Sequence, residues 1–373
     1  MRVGFDAKRA FFNNTGLGNY SRNLLQQLFQ FYPQNEYLLY SPSSRIKIKF
    51  QLIQNAKIKT PDNWFAKAFK SYWRSFLITK QIKLDRLNIY HGLSNELPFG
   101  ITETGTKSVV TIHDLIFKRF PQWYRTIDVK IYDSKFRYAA FYSDIIIAVS
   151  QNTAEDIQEF YKINPSKIRV IYQSCNPTFF QLLDKNIINE VLESYNLPNE
   201  YILYVGTIEE RKNLHRLVEA IVMGNIDFPL VVVGRKTKYY YQIVQPIIQK
   251  HKLEHKIFLI ENIDNRELPA IYQGAKLFVY PSLYEGFGIP ILEAQASGVP
   301  VITSKGSCFK ETGGEHSLYV NSNNSEEIAY VLQKVLNDKS LRIEMIEKGR
   351  HYAKKFSDNV SINKLYKVYE ELV

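Results

Sequence analysis

Glu285 and Glu293 are separated by seven residues in the segment YEGFGIPILEAQASGVPVIT, and Gly286, Phe287, Gly288 and Pro290 lie between them. Pro290 suits the first turn of a helix, where its missing N–H has no intrahelical partner. The turn Gly286-Phe287-Gly288-Ile289 then presents backbone N–H groups at the positive end of that helix. Small glycines let an oxyanion come close, so the turn is a seat for phosphate. Glu293 falls in the helix's first turn or just beyond, where a carboxylate either complements the macrodipole by ~0.3–1 kcal/mol or holds a ligand. Glu285 has no such structural task. A carboxylate beside a phosphate seat is repulsive unless it grips something else, and hydroxyl groups are the natural partner. A sugar carried on a diphosphate satisfies both groups.

A second segment, GTIEERKNLHRLVEA, places Arg211 and Lys212 near the start of a helix, where the dipole disfavours cations. A bound diphosphate reverses the sign of that term and recruits both side chains. Local neutralisation by Glu209 and Glu210 is the alternative. Near the amino terminus, NTGLGNYSRNLL sets Gly16 and Gly18 after a strand and before a helix. His113-Asp114 ends the run SVVTI, Gly206-Thr207 ends YILYV, and Gly234-Arg235-Lys236 ends LVVV, while Glu285-Gly286 comes shortly after LFVYPS. Ligands of open parallel sheets bind outside the carboxyl ends of the strands, so these groups are expected around one cleft.

The elements that must position them alternate strand and helix, twice over. RVGF, EYLLY, LNIYHG, SVVTIHD and SDIIIAVS are apolar strands of the first half; YILYVGT, PLVVVGR, KIFLIEN, AKLFVYPS and VPVITS are those of the second. Apolar β-rich runs alternating with helical segments predict parallel sheets covered on both faces. The fold class is therefore α/β, as two Rossmann-like domains. The seam falls near Gln173–Phe179, giving domains of 1–175 and 176–357, and a last helix over 358–373 is free to pack on either.

Composition narrows the partners. A chain of 373 residues is too long for one ordinary core, and 45% hydrophobic residues suffice for a packed protein. The strand-like RVGF follows Met1 directly, without a basic and then apolar leader, and no apolar run approaches the ~18 residues of a membrane span. Cys175 and Cys308, with no metal-ligand spacing around them, suit a reducing cytoplasm. The formal charge of +11 points to an anionic partner: nucleic acid, nucleotide phosphates or an acidic membrane face. Without zinc-finger spacing or an aromatic RNP-like strand, and with basic residues spread along the chain, nucleic acid is not expected.

Together these residues resemble the family-4 glycosyltransferases, retaining enzymes of the GT-B fold. The match runs over nearly the whole chain and is most specific in Glu285–Glu293, then in GTIEERKN, IHDL and GLGNY. The resemblance implies two Rossmann-like domains facing a central cleft, a nucleotide-sugar donor held mainly by the second, an acceptor held mainly by the first, and a final helix crossing back onto the first. It implies that Glu285 holds hydroxyls of the donor sugar, Glu293 the ribose hydroxyls, and Arg211 and Lys212 the diphosphate, helped by the Gly288 and Ile289 amides. His113 would approach the sugar near its reacting carbon, and Gly16 and Gly18 would let the first-domain loop close over the phosphates. Many relatives carry an arginine directly after the glycine that ends the first strand of the second domain. Here Thr207 follows Gly206, with Arg211 as the substitute cation.

The branch reading GT-x-E-x-RKN, with the opening FDAKRAFF…GLGNY, looks most like bacterial mannosyltransferases. It implies GDP-mannose rather than a UDP-sugar as co-substrate, no bound cofactor, and a glycan or lipid-linked saccharide as acceptor in cell-surface polysaccharide synthesis. No D-x-D is present to hold a metal on the diphosphate. Two other enzymes use such folds: a nucleotide-sugar epimerase, which needs no acceptor, and a phosphorylase, which would want a lysine for pyridoxal. A basic protein docking on nucleic acid or membrane is the non-enzymatic alternative.

The most basic-aromatic stretch is WFAKAFKSYWRSFLITKQIK, residues 64–83. On a helical wheel Phe65, Phe69, Tyr72 and Phe76 share one stripe and Lys67, Lys70 and Arg74 lie opposite. The expectation is an aromatic side on the sheet and a basic side in water, the latter available to anionic lipid headgroups on the inner face of the cytoplasmic membrane.

Overall fold

A computed structural model describes all 373 residues. The chain divides into two compact units, residues 1–173 with 358–373, and residues 174–357. Each is built on its own all-parallel sheet.

In the first unit the strands are β1 (Arg2–Asp6), β2 (Glu36–Tyr40), β3 (Ala56–Lys59), β4 (Ile89–Gly92), β5 (Lys107–Ile112), β6 (Ile145–Ala148) and β7 (Ile168–Val170), in the order β3-β2-β1-β4-β5-β6-β7. Successive residues feed opposite faces, as the pleat requires. Tyr37, Leu39, Ile89, Val109 and Ile147 enter one core, while Leu38, Tyr40, Tyr90, Val110 and Ile146 enter the other. Helices cover both faces, which is why these strands are apolar runs rather than alternating ones. Strand order reverses direction between β1 and β4, so a crevice opens there at the carboxyl ends.

The helix Asp358–Leu372 belongs to this unit. Its Ile362, Leu365, Val368 and Tyr369, at helical spacing, join the core formed with Leu24, Leu25 and Leu28 of the helix Gly16–Phe31. Polar pins fix it: Gln27 Nε2 donates to Asp358 Oδ1 at 2.6 Å, Tyr32 donates to Asn363 Oδ1 at 2.8 Å, and the Tyr32 and Tyr366 rings stack at 3.5 Å. Its Tyr369 hydroxyl lies 2.6 Å from Nδ1 of His91, whose Nε2 is 2.8 Å from Thr111 Oγ1, and Thr111 in turn is 3.1 Å from the Tyr20 hydroxyl. This buried chain of hydrogen bonds ties the C-terminal helix to β4, β5 and the helix after the glycine loop.

Residues 64–83 depart from the single helix the wheel assumes. The helix Trp64–Ala68 stops at Phe69 (φ −102°, ψ 61°), a short turn Lys70–Tyr72 follows, and a wide π-type turn Trp73–Leu77 precedes the helix Ile78–Leu84. The break and the wide turn change the facing of each residue after 68. Arg74 therefore points inward, where its guanidinium pairs with Asp6 at 2.7 Å and Glu96 at 2.7 Å, and the aromatic stripe lies in solvent. The expected arrangement is thus reversed for Arg74 and for Phe65, Phe69, Tyr72 and Phe76.

The second unit carries β8 (Tyr201–Val205), β9 (Leu230–Val233), β10 (Ile257–Ile260), β11 (Ala275–Tyr280), β12 (Val301–Ser304) and β13 (Leu318–Val320), ordered β10-β9-β8-β11-β12-β13. Its switch point lies between β8 and β11. Two glycines close the β8 end. A Cβ on Gly234 would sit 1.9 Å from the Gly206 carbonyl oxygen, so the two strand ends approach as only glycine allows. Beyond the strands named from sequence, the sheets gain β3, β7 and β13. Each is a short strand at or next to a sheet edge, where the apolar run is only partly buried.

Candidate active site

Of the residues singled out in the second half, Arg211, Lys212 and Glu285 come together at the β8/β11 switch point. After β8 the chain makes a 3₁₀ turn, Glu210–Lys212, then Asn213 in left-handed conformation (φ 62°), then the helix Leu214–Met223. Asn213 holds this corner by donating to the carbonyls of Pro281 at 3.0 Å and Ser322 at 2.7 Å. Arg211 and Lys212 are thereby turned toward the loop after β11, where Glu285 stands.

Glu285 is buried, and its Oε1 receives Arg211 Nη1 at 2.7 Å, Lys212 Nζ at 2.6 Å, Ser282 Oγ at 2.6 Å and the Tyr280 hydroxyl at 3.0 Å. Lys212 also contacts the Tyr280 hydroxyl and lies over its ring. Burial alone would raise the carboxyl pKa, but Arg211, Lys212 and the hydrogen bonds bring it down to about 2. Burial pulls the Arg211 guanidinium the other way, yet Glu285 and Glu209 hold its pKa above the ordinary value. For Lys212 burial prevails and lowers the pKa, Glu285 offsetting part of that. Glu209, at the solvent edge, adds a 2.8 Å pair to Arg211. The expectation that Glu285 lacks a structural task is therefore corrected: it is the counter-ion of both cations. Local neutralisation holds for Glu209.

The glycine turn follows at once. Gly288 (φ 102°) caps the helix Ile289–Ala296, with Pro290 in its first turn. The turn is braced from beneath by a loop sequence reasoning passed over. Ser307 donates to the Glu285 carbonyl at 2.9 Å, and the Cys308 thiol lies 3.2 Å from that carbonyl and 2.9 Å from the carbonyl of Phe287. Burial raises the Cys308 thiol pKa, so it stays protonated and able to donate. Phe287 is buried and tilts against Phe356, which fixes the turn without offering a side chain to a ligand. The first-turn amides of the helix have no acceptor within it, and those of Gly288 and Ile289 begin that array.

Glu293 lies past the first turn, which contains no acidic residue, so the macrodipole gains little from it. Tyr272 donates to its Oε2 at 2.9 Å. Burial nonetheless raises its pKa to about 7. A carboxyl held at such a value is poised for a partner that favours its ionised form. Thr207, after Gly206, is half-buried.

In the first unit, His113 follows β5 and is buried. Its Nε2 donates to the Leu93 carbonyl at 2.9 Å, which fixes the tautomer, and Nδ1 is left as an acceptor 3.4 Å from Gln173 Nε2. The Tyr20 ring meets the imidazole edge-on at 4.6 Å. Burial lowers the His113 pKa to about 4, so the ring is neutral at pH 7 and cannot serve as a general acid. Gly16 and Gly18, expected before the helix, instead form the first turn of the helix Gly16–Phe31 and have unequal tasks. A Cβ on Gly18 would lie 1.8 Å from the Asn13 carbonyl oxygen, whereas one on Gly16 would meet nothing within 4 Å. Gly18 serves the packing of the loop, and Gly16 leaves open space. No group of three or more His, Cys, Asp or Glu side chains is arranged to hold a metal ion in either unit.

Residues 15–179 match the family model for Glycosyltransferase Family 4, and residues 189–352 that for Glycosyl transferases group 1. The chain is 28% identical over 274 residues to the O-antigen chain mannosyltransferase B of Escherichia coli, covering 72% of this chain and 70% of that one. It is 32% identical over 177 residues to the O-antigen chain mannosyltransferase RfbU of Salmonella typhimurium, covering 47% and 46%. It spans only 27% of the length of the serotype-specific mannosyltransferase WbdA of Escherichia coli, at 27% identity. Among solved structures, a sucrose-phosphate synthase from Thermosynechococcus elongatus superposes with a TM-score of 0.78 at 19% identity, covering 100% of this chain and 99% of that one. WaaG, a glycosyltransferase involved in lipopolysaccharide biosynthesis, superposes with 0.76 at 16%, covering 99% of each. With two parallel-sheet units, a glycine-capped helix start after β11 and both halves matched, the chain belongs to the family-4 glycosyltransferases of the GT-B fold.

Proposed function

We propose that this glycosyltransferase moves a hexose, mannose from GDP-mannose, with retention of configuration onto a glycan or lipid-linked saccharide of a cell-surface polysaccharide, on the cytoplasmic side. One observation carries the reading: two cations only partly open to solvent, Arg211 and Lys212 (side chains 16% and 14% exposed), share a single buried carboxylate, Glu285, beside a glycine-capped helix start. That arrangement suits a dianionic group flanked by hydroxyls. The diphosphate would take over part of the hydrogen bonding that Glu285 now supplies, and Glu285 would turn to sugar hydroxyls. Glu293, ionised on binding, would hold the ribose hydroxyls. The mannosyltransferase names of the sequence relatives support the donor.

The chemistry needs no carboxylate nucleophile. In front-face transfer the bond from the anomeric carbon to the departing phosphate oxygen breaks, the acceptor oxygen bonds on the same face, and the acceptor's proton passes to the leaving diphosphate. Positioning and stabilisation of the departing charge by Arg211, Lys212 and the helix dipole then supply the rate. We propose that these groups stand in place of a metal ion.

The experiment is a transfer assay with GDP-mannose, with and without excess EDTA, the product's anomeric configuration read by NMR. Retained configuration and undiminished rate in EDTA are expected. An inverted product, or abolition by EDTA with rescue by magnesium, contradicts the mechanism.

Replacing Glu285 by Gln leaves Lys212 without a counter-ion and Arg211 with Glu209 alone, and breaking a pair so largely removed from solvent costs up to about 3–5 kcal/mol. Thermal unfolding should show a clear loss for Glu285→Gln, with GDP restoring more stability to the variant than it adds to the wild type, while transfer collapses. A variant that melts with the wild type would remove Glu285 from the cluster.

The raised pKa of Glu293 gives a pH signature. In the free protein the folded state binds its proton up to about pH 7, so ionising it for the ribose is costless above that pH and increasingly costly below. Affinity for GDP-mannose, whose diphosphate diester does not titrate there, should fall as pH drops through 7 and approach tenfold per unit. Glu293→Gln should weaken binding and flatten that slope. An unchanged slope in the variant would assign the titration elsewhere.

A further inference from the structure

The reversed facing of residues 64–83 leaves an exposed surface that the transfer chemistry does not use. Trp64 is 78% exposed, Phe69 54%, Tyr72 47% and Phe76 46%, values far above those of core aromatics. Between Asp62 and Tyr72 only Ala66 is buried. The rings form one connected row: Trp64 meets Phe65 edge-on, Phe65 contacts Phe69 and Tyr72, Tyr72 contacts Phe76, and Phe76 stacks on Phe99 at 5.0 Å. From Phe99 the row continues through Tyr138 at 4.4 Å to Tyr142, itself 51% exposed. A contiguous apolar surface of this kind marks an interaction site rather than ordinary scatter.

Its charge says what partner fits. Residues 64–83 contain no Asp or Glu. Arg74 is occupied by Asp6 and Glu96, but Lys67, Lys70, Lys80 and Lys83 are exposed and form no ion pair. A second protein would have to set its own carboxylates opposite four lysines spread along the aromatic row. An anionic bilayer satisfies both at once, since aromatic rings settle at the headgroup level and lysines meet lipid phosphates. We infer that this aromatic row with Lys67, Lys70, Lys80 and Lys83 docks the first unit on an anionic membrane surface, rings entering the interface and lysines binding headgroups. Docking by exposed side chains needs no spanning segment, and no helix of the chain is long and apolar enough to cross a membrane. The inference stands apart from the donor assignment and is tested without turnover.

The test uses the full chain with vesicles of phosphatidylcholine alone or mixed with phosphatidylglycerol, read by co-sedimentation and by tryptophan emission. Of the other two tryptophans Trp73 is buried and Trp123 half-buried, so the part of the shift that disappears in Trp64→Phe is the part that reports Trp64. Binding to the anionic vesicles with emission moving to shorter wavelength is expected. Lys67→Gln with Lys70→Gln should lower partitioning onto them roughly 30-fold, at about fivefold per surface charge. Trp64→Ser with Phe69→Ser should lower it at least tenfold, with unfolding temperature and GDP binding unchanged in both variants. Absence of binding to either vesicle, or equal binding to both, overturns the proposal. So does an emission shift that accompanies dimerisation without lipid, which would make a second copy of the chain the occupant.

Discussion

Two cations and one carboxylate share the space between the ends of β8 and β11, and the rest of the second unit is arranged around keeping them there. An unpaired buried charge is costly by several kcal/mol, so Arg211, Lys212 and Glu285 cannot be placed one at a time. The left-handed corner at Asn213 aims both cations, Ser282 and Tyr280 donate to the same Glu285 oxygen that the cations meet, and the loop with Ser307 and Cys308 holds the Glu285 backbone. The buried part carries one more positive than negative charge, with Glu209 completing the balance only at the solvent edge. A site left in that state favours a further anion. The glycine turn beside it adds the partial positive charge of a helix start without adding a side chain.

The first unit repeats the device with the charges exchanged. There one cation, Arg74, is buried between two carboxylates, Asp6 at the end of β1 and Glu96 after β4, again at the point where strand order reverses. Burial opposes ionisation of Asp6, and Arg74 more than compensates, holding its pKa below the ordinary value. Near it, His113 and His91 are kept neutral by burial, the latter at about 3, and their hydrogen bonds set ring orientation rather than charge. The second unit thus holds an excess of positive charge beside its glycine turn, whereas the two histidines of the first unit are oriented neutral groups.

Much of this was legible in the sequence because the relevant physics is local. A parallel strand buried on both faces is a continuous apolar run, so ten of the strands announce themselves. β3, β7 and β13 are short segments completed by a neighbour, and nothing within AKIK, IRV or LYV says so. Pro290 and Gly288 mark a helix start by chemistry that depends on no distant residue. The partner of Glu285, by contrast, is some seventy positions away, and only the fold brings it to Arg211 and Lys212. Tyr272, Ser307 and Cys308 were invisible for the same reason. The facing of Arg74 was misread because a helical wheel assumes constant rotation per residue, which the break at Phe69 and the wide turn at Trp73–Leu77 do not keep.

In the proposed function Arg211 and Lys212, released in part from Glu285, hold the donor's diphosphate. Calorimetric titration of GDP into the wild type and into Lys212→Met, both free of divalent cations, tests it most directly. The account expects one site per chain in the wild type and affinity at least tenfold weaker in the variant, the scale of one charge-assisted hydrogen bond of about 1.5–3 kcal/mol. Equal affinity in both proteins, or binding that appears only when magnesium is added, would contradict it.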